Sequence, residues 1–390
     1  MPSMETRETS NSLKILVVIA HYNHHATLRQ VAQTSREVWP YVLVVDDGSD
    51  ESPQELLKGL DVSFLRHEVN QGKGSAILTG ASYAREHGFT HILTIDADGQ
   101  HDPKEIPLFV EAVRVKPQAI IIGVRKFDGT VPFGSRFGRE FGNFWVHVQT
   151  GKTVRDIQSG YRCYPVELLR VLNVHSVRYA FEVEVVVRAL WAGFEESEVN
   201  VSVVYPENRI SHFSQWKDNA RLTVLNTWLT LRSMLPLAHR QYIQTEGEIK
   251  RKSYAQTLRE NLSASGSTLR NALSSAWGIF CGSIALPGIR QIFLFWGAGW
   301  WNLNRLLCVG FEKLCIGPFV PALCIEVGYF IRHGHFLTEF NLTTLGRQAL
   351  QRVWEWVLGS FVVAPALAGI TFLIVLIVGW FLHRSLHEHA

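Results

Sequence analysis

Five short apolar runs constrain this chain more than any other feature of it: Ile15–Ala20 (ILVVIA), Tyr41–Val45 (YVLVV), Val62–Leu65, His91–Ile95 (HILTI) and Ala119–Gly123 (AIIIG). They are rich in β-branched residues and nearly free of polar ones, as strands buried on both faces of a parallel sheet must be. Between them lie helix candidates over Thr27–Val38, Pro53–Lys58, Ser75–His87 and Pro103–Val115. Strands and helices alternating at this spacing specify a doubly wound α/β domain, in which the ligand site forms at the carboxyl ends of the strands. The polar clusters of the chain fall at those ends.

The hydrophobic fraction of 47% averages two unlike halves. Residues up to about 245 read as a soluble domain, whereas the chain from about 270 onward is rich in Trp, Phe, Leu, Ile and Gly. Val357–Leu382 runs 26 residues without a charge, more than the roughly 20 needed to cross the hydrocarbon core of a bilayer. It is expected to span. Ala276–Trp301 and Leu306–Ile331 are apolar too, but Arg290, Glu312, Lys313 and Glu326 interrupt them, as do Pro287, Pro318 and Pro321. Mid-bilayer charges cost about 2.5–3.5 kcal/mol each, so broken, re-entrant or interfacial helices are expected there. The organisation expected is an α/β domain over 1–243, a linker over 244–268 and an all-α membrane region over 269–390. An amphipathic helix over 216–235 either lies in the membrane interface or packs on the α/β domain.

The net charge of +3 is too small to argue for nucleic acid by itself, and no basic stripe with interleaved aromatics appears, so no nucleic-acid partner is expected. Lys250, Arg251, Lys252, Arg259 and Arg270 precede the apolar region, where anionic headgroups would attract them and where a solvated linker would look the same. The five cysteines show no metal-ligand spacing and read as reduced, buried residues. Met1–Ser12 is polar and carries no signal peptide, so the α/β half is expected in the cytosol.

Four clusters could carry chemistry. Asp96 and Asp98 sit two apart after the fourth strand, with Gly99, Gln100 and His101 following. Two adjacent carboxylates invite a hard divalent cation, Mg²⁺ or Mn²⁺, which would bind a diphosphate; an acidic turn looks the same when it stands alone. Asp46 or Asp47, in Val44-Val-Asp-Asp-Gly-Ser49, could accept hydrogen bonds from a base or ribose. Asn70-Gln-Gly-Lys-Gly-Ser75 opens a helix, whose N-terminus favours phosphate; it is neither a P-loop nor a GxGxxG fingerprint. Lastly, Arg125, Lys126, Arg136, Arg139, Lys152, Arg155 and Arg162 outnumber the acids near them, as a substrate with several phosphates would require and as a solvated surface would also show.

Taken in order, these residues resemble the inverting family 2 glycosyltransferases, most closely the dolichyl- and polyprenyl-phosphate sugar synthases. The resemblance runs from Lys14 to Leu235. It rests on Tyr22-Asn23, Val45-Asp-Asp-Gly-Ser49, Asn70-Gln-Gly-Lys73-Gly74, Asp96-Ala-Asp-Gly-Gln-His101, Asp156-Ile-Gln-Ser159-Gly-Tyr-Arg162, Phe181-Glu-Val-Glu184 and Arg209-Ile-Ser211. It implies a GT-A-type nucleotide-sugar-binding fold and one metal ion. Asp47 would bind the nucleoside, Asp96, Asp98 and Gln100 the metal and diphosphate, Arg162 and Arg209 phosphate groups. Glu182 and Glu184 would shape the sugar pocket. Ala20, His21 and His24 depart from the family's pattern around Tyr-Asn, and His212 stands where the family has Lys. Residues from about Ser267 to Gly334 look like a bacterial membrane domain, which places the chain in a bacterial inner membrane.

The reaction implied is a single displacement with inversion, from a nucleotide-diphospho-sugar to a polyprenyl phosphate. A phosphate monoester, with a second pKa near 6, is already anionic at neutral pH and needs no general base. Asp98, Arg162, Glu182 and Glu184 are the candidates for the chemistry. Transfer to a hydroxyl of a membrane lipid, with Glu182, Glu184 or a histidine as base, is the rival. A membrane scaffold with a degenerate transferase domain is the reading from another class. A homo-oligomer is compatible with either.

Overall fold

The computed structural model describes residues 13–126, 133–204, 215–234, 239, 241–245, 248–253, 268–285, 289–315, 319–337 and 349–387. The chain divides into two compact units. One takes the chain up to Val146 with Thr153–Trp228 and His239–Lys252; the other takes His147–Lys152, Leu229–Ala238 and Ser253–Ala390.

The first unit is built on a seven-stranded sheet. Its strands are β1 (Ile15–His21), β2 (Val42–Asp46), β3 (Ser63–Arg66), β4 (His91–Asp96), β5 (Ile120–Arg125), β6 (Arg162–Pro165) and β7 (Glu196–Val201), in the order β3-β2-β1-β4-β6-β5-β7. The five expected strands are present within a residue or two. Helices α1 (His25–Val38), α2 (Lys73–Glu86) and α3 (Ile106–Val115) follow β1, β3 and β4, and α4 (Phe133–Thr150) follows β5. The expected Pro53–Lys58 helix is a single 3-10 turn, Pro53–Leu57. Asp102 caps the 3-10 turn Pro103–Glu105 that leads into α3, accepting from the Lys104 N–H at 2.9 Å, with Pro103 in the first position of that turn.

Both faces of the sheet are covered, which is why the strands read as unbroken apolar runs. Ile15, Val17 and Ile19 pack with Leu28 and Val31 of α1 and with Phe109 and Val113 of α3. On the other face a Cβ on Gly80 would come within 2.6 Å of a Val18 methyl, so α2 lies flat on β1 only because residue 80 is glycine. Burial of each such Val, Leu or Ile contributes about 1.5–3 kcal/mol.

The sheet departs from an all-parallel one at β6. It runs antiparallel between β4 and β5, pairing Thr94 with Arg162 and Ile122 with Arg162. Reversal brings the loop that precedes β6, Asp156–Tyr161, to the carboxyl edge of β4. The parallel register does the same for the earlier turns, setting His21 beside Asp46 and Ala20 beside Asp96. Helices α5 (Val166–Val171) and α6 (Ala180–Trp191) complete the unit, together with a hairpin of β8 (Tyr242–Thr245) and β9 (Glu248–Arg251). Part of the stretch expected as linker is therefore strand, and residues 254–267 of it lie outside the described residues. Helix α7 (Gln215–Met234) contributes to both units.

The second unit is helical: α8 (Thr268–Ser283), α9 (Arg290–Trp300), α10 (Arg305–Leu314), α11 (Phe319–His333) and α12 (Ala349–His387). The two interrupted apolar stretches are thus several shorter helices. Within α12, Arg352–Trp380 is long and apolar enough to cross a membrane, and only 17% of its most apolar window is buried.

Candidate functional site

A cleft of about 380 Å³ opens at the carboxyl ends of β1, β2 and β4. Tyr22, His24, Asp47, Asn70, Gly72, Lys73, Asp96 and Asp98 line it, with Arg178 and Tyr179 from the start of α6. Three of the sequence clusters, far apart in the chain, therefore share one cavity.

The two aspartates at the end of β2 have different surroundings. Asp46 is fully buried, and its Oδ1 accepts from Ser49 Oγ at 2.5 Å and from His21 Nδ1 at 3.0 Å. His21 Nε2 accepts the His24 N–H at 3.2 Å, which leaves Nδ1 as the protonated nitrogen. Burial opposes the charge on Asp46, but the bonds from His21 and Ser49 outweigh it and hold the carboxyl below its ordinary range. Asn23, at a φ of 54°, exchanges two 3.0 Å bonds with Asp50, so it staples the turn after β1 to the turn after β2. Asp47 lines the cleft. Its Oδ2 accepts from the Gly72 N–H at 2.7 Å, and its Oδ1 accepts from Gln71 N–H at 3.0 Å and His67 Nδ1 at 2.8 Å. It fixes the glycine-rich loop that leads into α2. Gly72 needs its φ of 103°, and a Cβ there would fall on the Val177 carbonyl. Asn70 Oδ1 is buried without a hydrogen-bond partner among the described residues.

The centre of the cleft is a charge cluster. Lys73, the first residue of α2, places its ammonium 2.7 and 2.9 Å from the two oxygens of Asp96 and 2.6 Å from Glu182 Oε1. Burial opposes the ammonium charge, and the two carboxylates overcome it, raising the lysine above its ordinary range. Burial likewise opposes ionisation of Asp96, and Lys73 overrides it, so the carboxyl stays ionised well below the usual range. Asp98 accepts from both the backbone and side-chain N–H of Gln100, at 3.0 and 2.5 Å, around a turn that Gly99 allows with a φ of 72°. Burial drives His101 down to about 4, leaving a neutral ring.

The other nominated residues take varied places. Arg162 is wholly buried and donates to three backbone carbonyls: Ser159 O at 2.6 Å, Glu182 O at 2.7 Å and Ile157 O at 2.5 Å. Its guanidinium ties the loop before β6 to α6. Glu184 accepts from the N–H groups of His175 and Ser176 and from Arg188, pinning the loop that enters α6. Ser159 is buried, and its Oγ has no partner among the described residues. Arg136 is exposed on α4, and Arg139 donates to the Arg125 carbonyl at 3.2 Å. Arg209 and His212 lie outside the described residues. Arg178 and Tyr179, a few residues ahead of the Phe181-Glu-Val-Glu184 block, join the cleft although no sequence pattern marks them. Burial pushes Tyr179 up to about 12. Gly160 was also overlooked: a Cβ there would strike the Lys73 ammonium and come within 2.5 Å of Asp96 Oδ2.

No group of three or more His, Cys, Asp or Glu that could hold a metal ion occurs among the described residues. Asp96 and Asp98 do line one cleft, and two carboxylates completed by substrate phosphates are a usual provision for Mg²⁺. The donor set fits a hard divalent ion bound together with a diphosphate.

Residues 16–171 match glycosyl transferase family 2. An uncharacterized protein of Methanocaldococcus jannaschii is 31% identical over 208 residues, covering 52% of this chain and 86% of that one. The undecaprenyl-phosphate mannosyltransferase of Micrococcus luteus is 28% identical over 50% of this chain and 85% of its own. The polyprenol monophosphomannose synthase of Mycolicibacterium smegmatis is 29% identical, with coverages of 52% and 81%.

Proposed function

This chain belongs to glycosyl transferase family 2, and from that premise we propose that it transfers a sugar, with inversion, from a nucleotide-diphospho-sugar to a polyprenyl phosphate in a bacterial inner membrane. The observation that carries the reading is the shared cleft: Asp47, Asn70, Lys73, Asp96 and Asp98 converge on it from three strand ends. Similarity to two polyprenyl-phosphate mannosyltransferases supports the acceptor class.

In this reading Tyr22, Asp47 and Asn70 receive the nucleoside, Asn70 through an Oδ1 that has no other partner among the described residues. The diphosphate lies against the start of α2, where the helix dipole favours anions. Asp96 and Asp98, with Gln100, would hold Mg²⁺ or Mn²⁺, which when bound supplies positive charge to the leaving diphosphate. Lys73 adds a positive charge at the same helix start, held by Asp96 and Glu182 while the donor is absent. Arg162 and Glu184 act at a distance, by fixing the loop before β6 and the entry to α6. Arg209 and His212 remain candidates for the acceptor phosphate.

A phosphate acceptor also agrees with how the carboxylates are used. Glu182 is engaged by Lys73, and Glu184 by two backbone N–H groups and Arg188, so neither stands ready as the general base that a hydroxyl acceptor would need. The span Arg352–Trp380 would anchor the chain, with the α/β unit on the cytoplasmic side where nucleotide-sugars are available.

The test is transfer of labelled sugar from a panel of UDP- and GDP-sugars to undecaprenyl phosphate or to diacylglycerol, with Mg²⁺ or Mn²⁺. Product on the phosphate lipid is expected, and Asp98→Asn should lower turnover by roughly 10²–10³-fold, the scale on which loss of one group that stabilises transition-state charge is felt. Turnover undiminished in that variant, or product on the hydroxyl lipid alone, would refute the assignment.

A further inference from the structure

The ammonium of Lys73 occupies the place where a cation is expected to act. Both oxygens of Asp96 face it, at 2.7 and 2.9 Å, and Glu182 Oε1 closes the other side at 2.6 Å. With both its oxygens turned to one cation, Asp96 can take a divalent ion on its remaining lone pairs only against the repulsion of the ammonium beside it. The pair is also walled in. Gly160 lies so close that even a methyl there would strike the lysine and reach 2.5 Å from Asp96 Oδ2, so the ammonium has no room to retreat toward that loop. The remaining way out is the cleft, which both residues line.

Helix position sharpens the point. Lys73 begins α2, where the dipole favours anions and disfavours a cation, and no acidic residue stands in the first turn to offset it. What keeps the ammonium there is Asp96 and Glu182. A diphosphate arriving at the same helix start would offer it an alternative anion on the cleft side.

We propose that Lys73 is the resident counter-ion of the donor-free site, that it competes with the divalent ion for Asp96, and that a nucleoside diphosphate draws it off, so that ion and nucleotide bind as a coupled pair. The inference rests on the reading of Asp96 and Asp98 as the cation site. It adds that this chain holds the ion poorly until the donor is present.

The experiment is Mn²⁺ binding to the full-length, detergent-solubilised protein, followed by electron paramagnetic resonance of the free ion, alone and with UDP or GDP. Wild type should bind Mn²⁺ weakly alone and about tenfold or more tightly with the cognate nucleotide, a gain within the usual range of coupling between sites. Lys73→Met should bind bare Mn²⁺ about tenfold more tightly than wild type and show a smaller gain from nucleotide. Lys73→Arg, which keeps the charge, should bind bare Mn²⁺ no more tightly than wild type. Removing the lysine leaves Glu182 buried without its partner, so the double variant Lys73→Met, Glu182→Gln serves if the single one does not fold, with the same expectation. Bare-ion affinity equal to or weaker than wild type in the charge-removed variant would overturn the inference and leave the cation site standing. Absence of Mn²⁺ binding in every protein, with either nucleotide, would remove the cation site and this inference with it.

Discussion

Arg162 shows how a single residue can carry two meanings that only its surroundings separate. In the sequence it is one of seven cationic residues between 125 and 162, and phosphate is their natural partner. In the fold it has no exposed surface and spends its donors on the carbonyls of Ile157, Ser159 and Glu182. A lysine cannot reproduce that fork, because its single ammonium reaches fewer carbonyls at once. Arg162→Lys should therefore lower stability by about 3 kcal/mol, since each buried acceptor left unmatched costs about 1–3 kcal/mol. The thermal midpoint of the purified protein measures this. A midpoint unchanged from wild type would show that the buried fork contributes nothing. Asp46 and Asp47 teach the same lesson: Asp46, the last residue of β2, joins a buried network, and the next residue reaches the cleft.

Among the elements, β1 to β5 were legible because their runs are largely apolar, and that pattern survives in one dimension; β7, a sixth parallel strand reading Glu-Ser-Glu-Val-Asn-Val beside β5, is too polar to show it. Strand β6 was not legible either. It is four residues long, Arg-Cys-Tyr-Pro, begins with a charge and ends in proline, so neither alternation nor an apolar run marks it. Its reversed direction is set by pairing with β4 and β5, a long-range choice with no local signature. The position of Gly160 against Lys73 and Asp96 follows from that reversal and was hidden with it. In the helical unit the informative residues are small ones. A Cβ on Gly359 would fall on the Cys324 carbonyl, and one on Gly328 on the Glu355 carbonyl, so α11 and α12 touch backbone to backbone. Close approach of this kind drives helix association in bilayers. Gly359→Leu should separate the two helices and lower the thermal midpoint of the detergent-solubilised protein by several degrees, whereas a midpoint equal to wild type would show that the contact is dispensable.

For the whole molecule, the solvent of α12 decides how the protein is handled. Phe361, Ile370, Ile374 and Ile377 are each more than half exposed along it, an apolar face of the kind that marks a membrane or protein contact. If Arg352–Trp380 spans a bilayer, Ile374→Arg places a charge well inside the hydrocarbon, at about 2.5–3.5 kcal/mol. The fraction resisting carbonate extraction should then fall several-fold. Wild-type protein released by carbonate would contradict the span outright. The helical unit is also not a simple appendage to the end of the chain, because it draws in His147–Lys152 and Leu229–Ala238 from far upstream. Gln149 donates to Thr230 at 3.2 Å, Arg305 donates to the Gln149 carbonyl at 3.4 Å, and Gly151 sits so tightly on Asn302 that a Cβ would meet it at 2.8 Å. Expression of residues 1–252 by themselves would thus leave the last turns of α4 and α7 without the surfaces that shape them. The boundary visible in one dimension is a poor place to put the scissors.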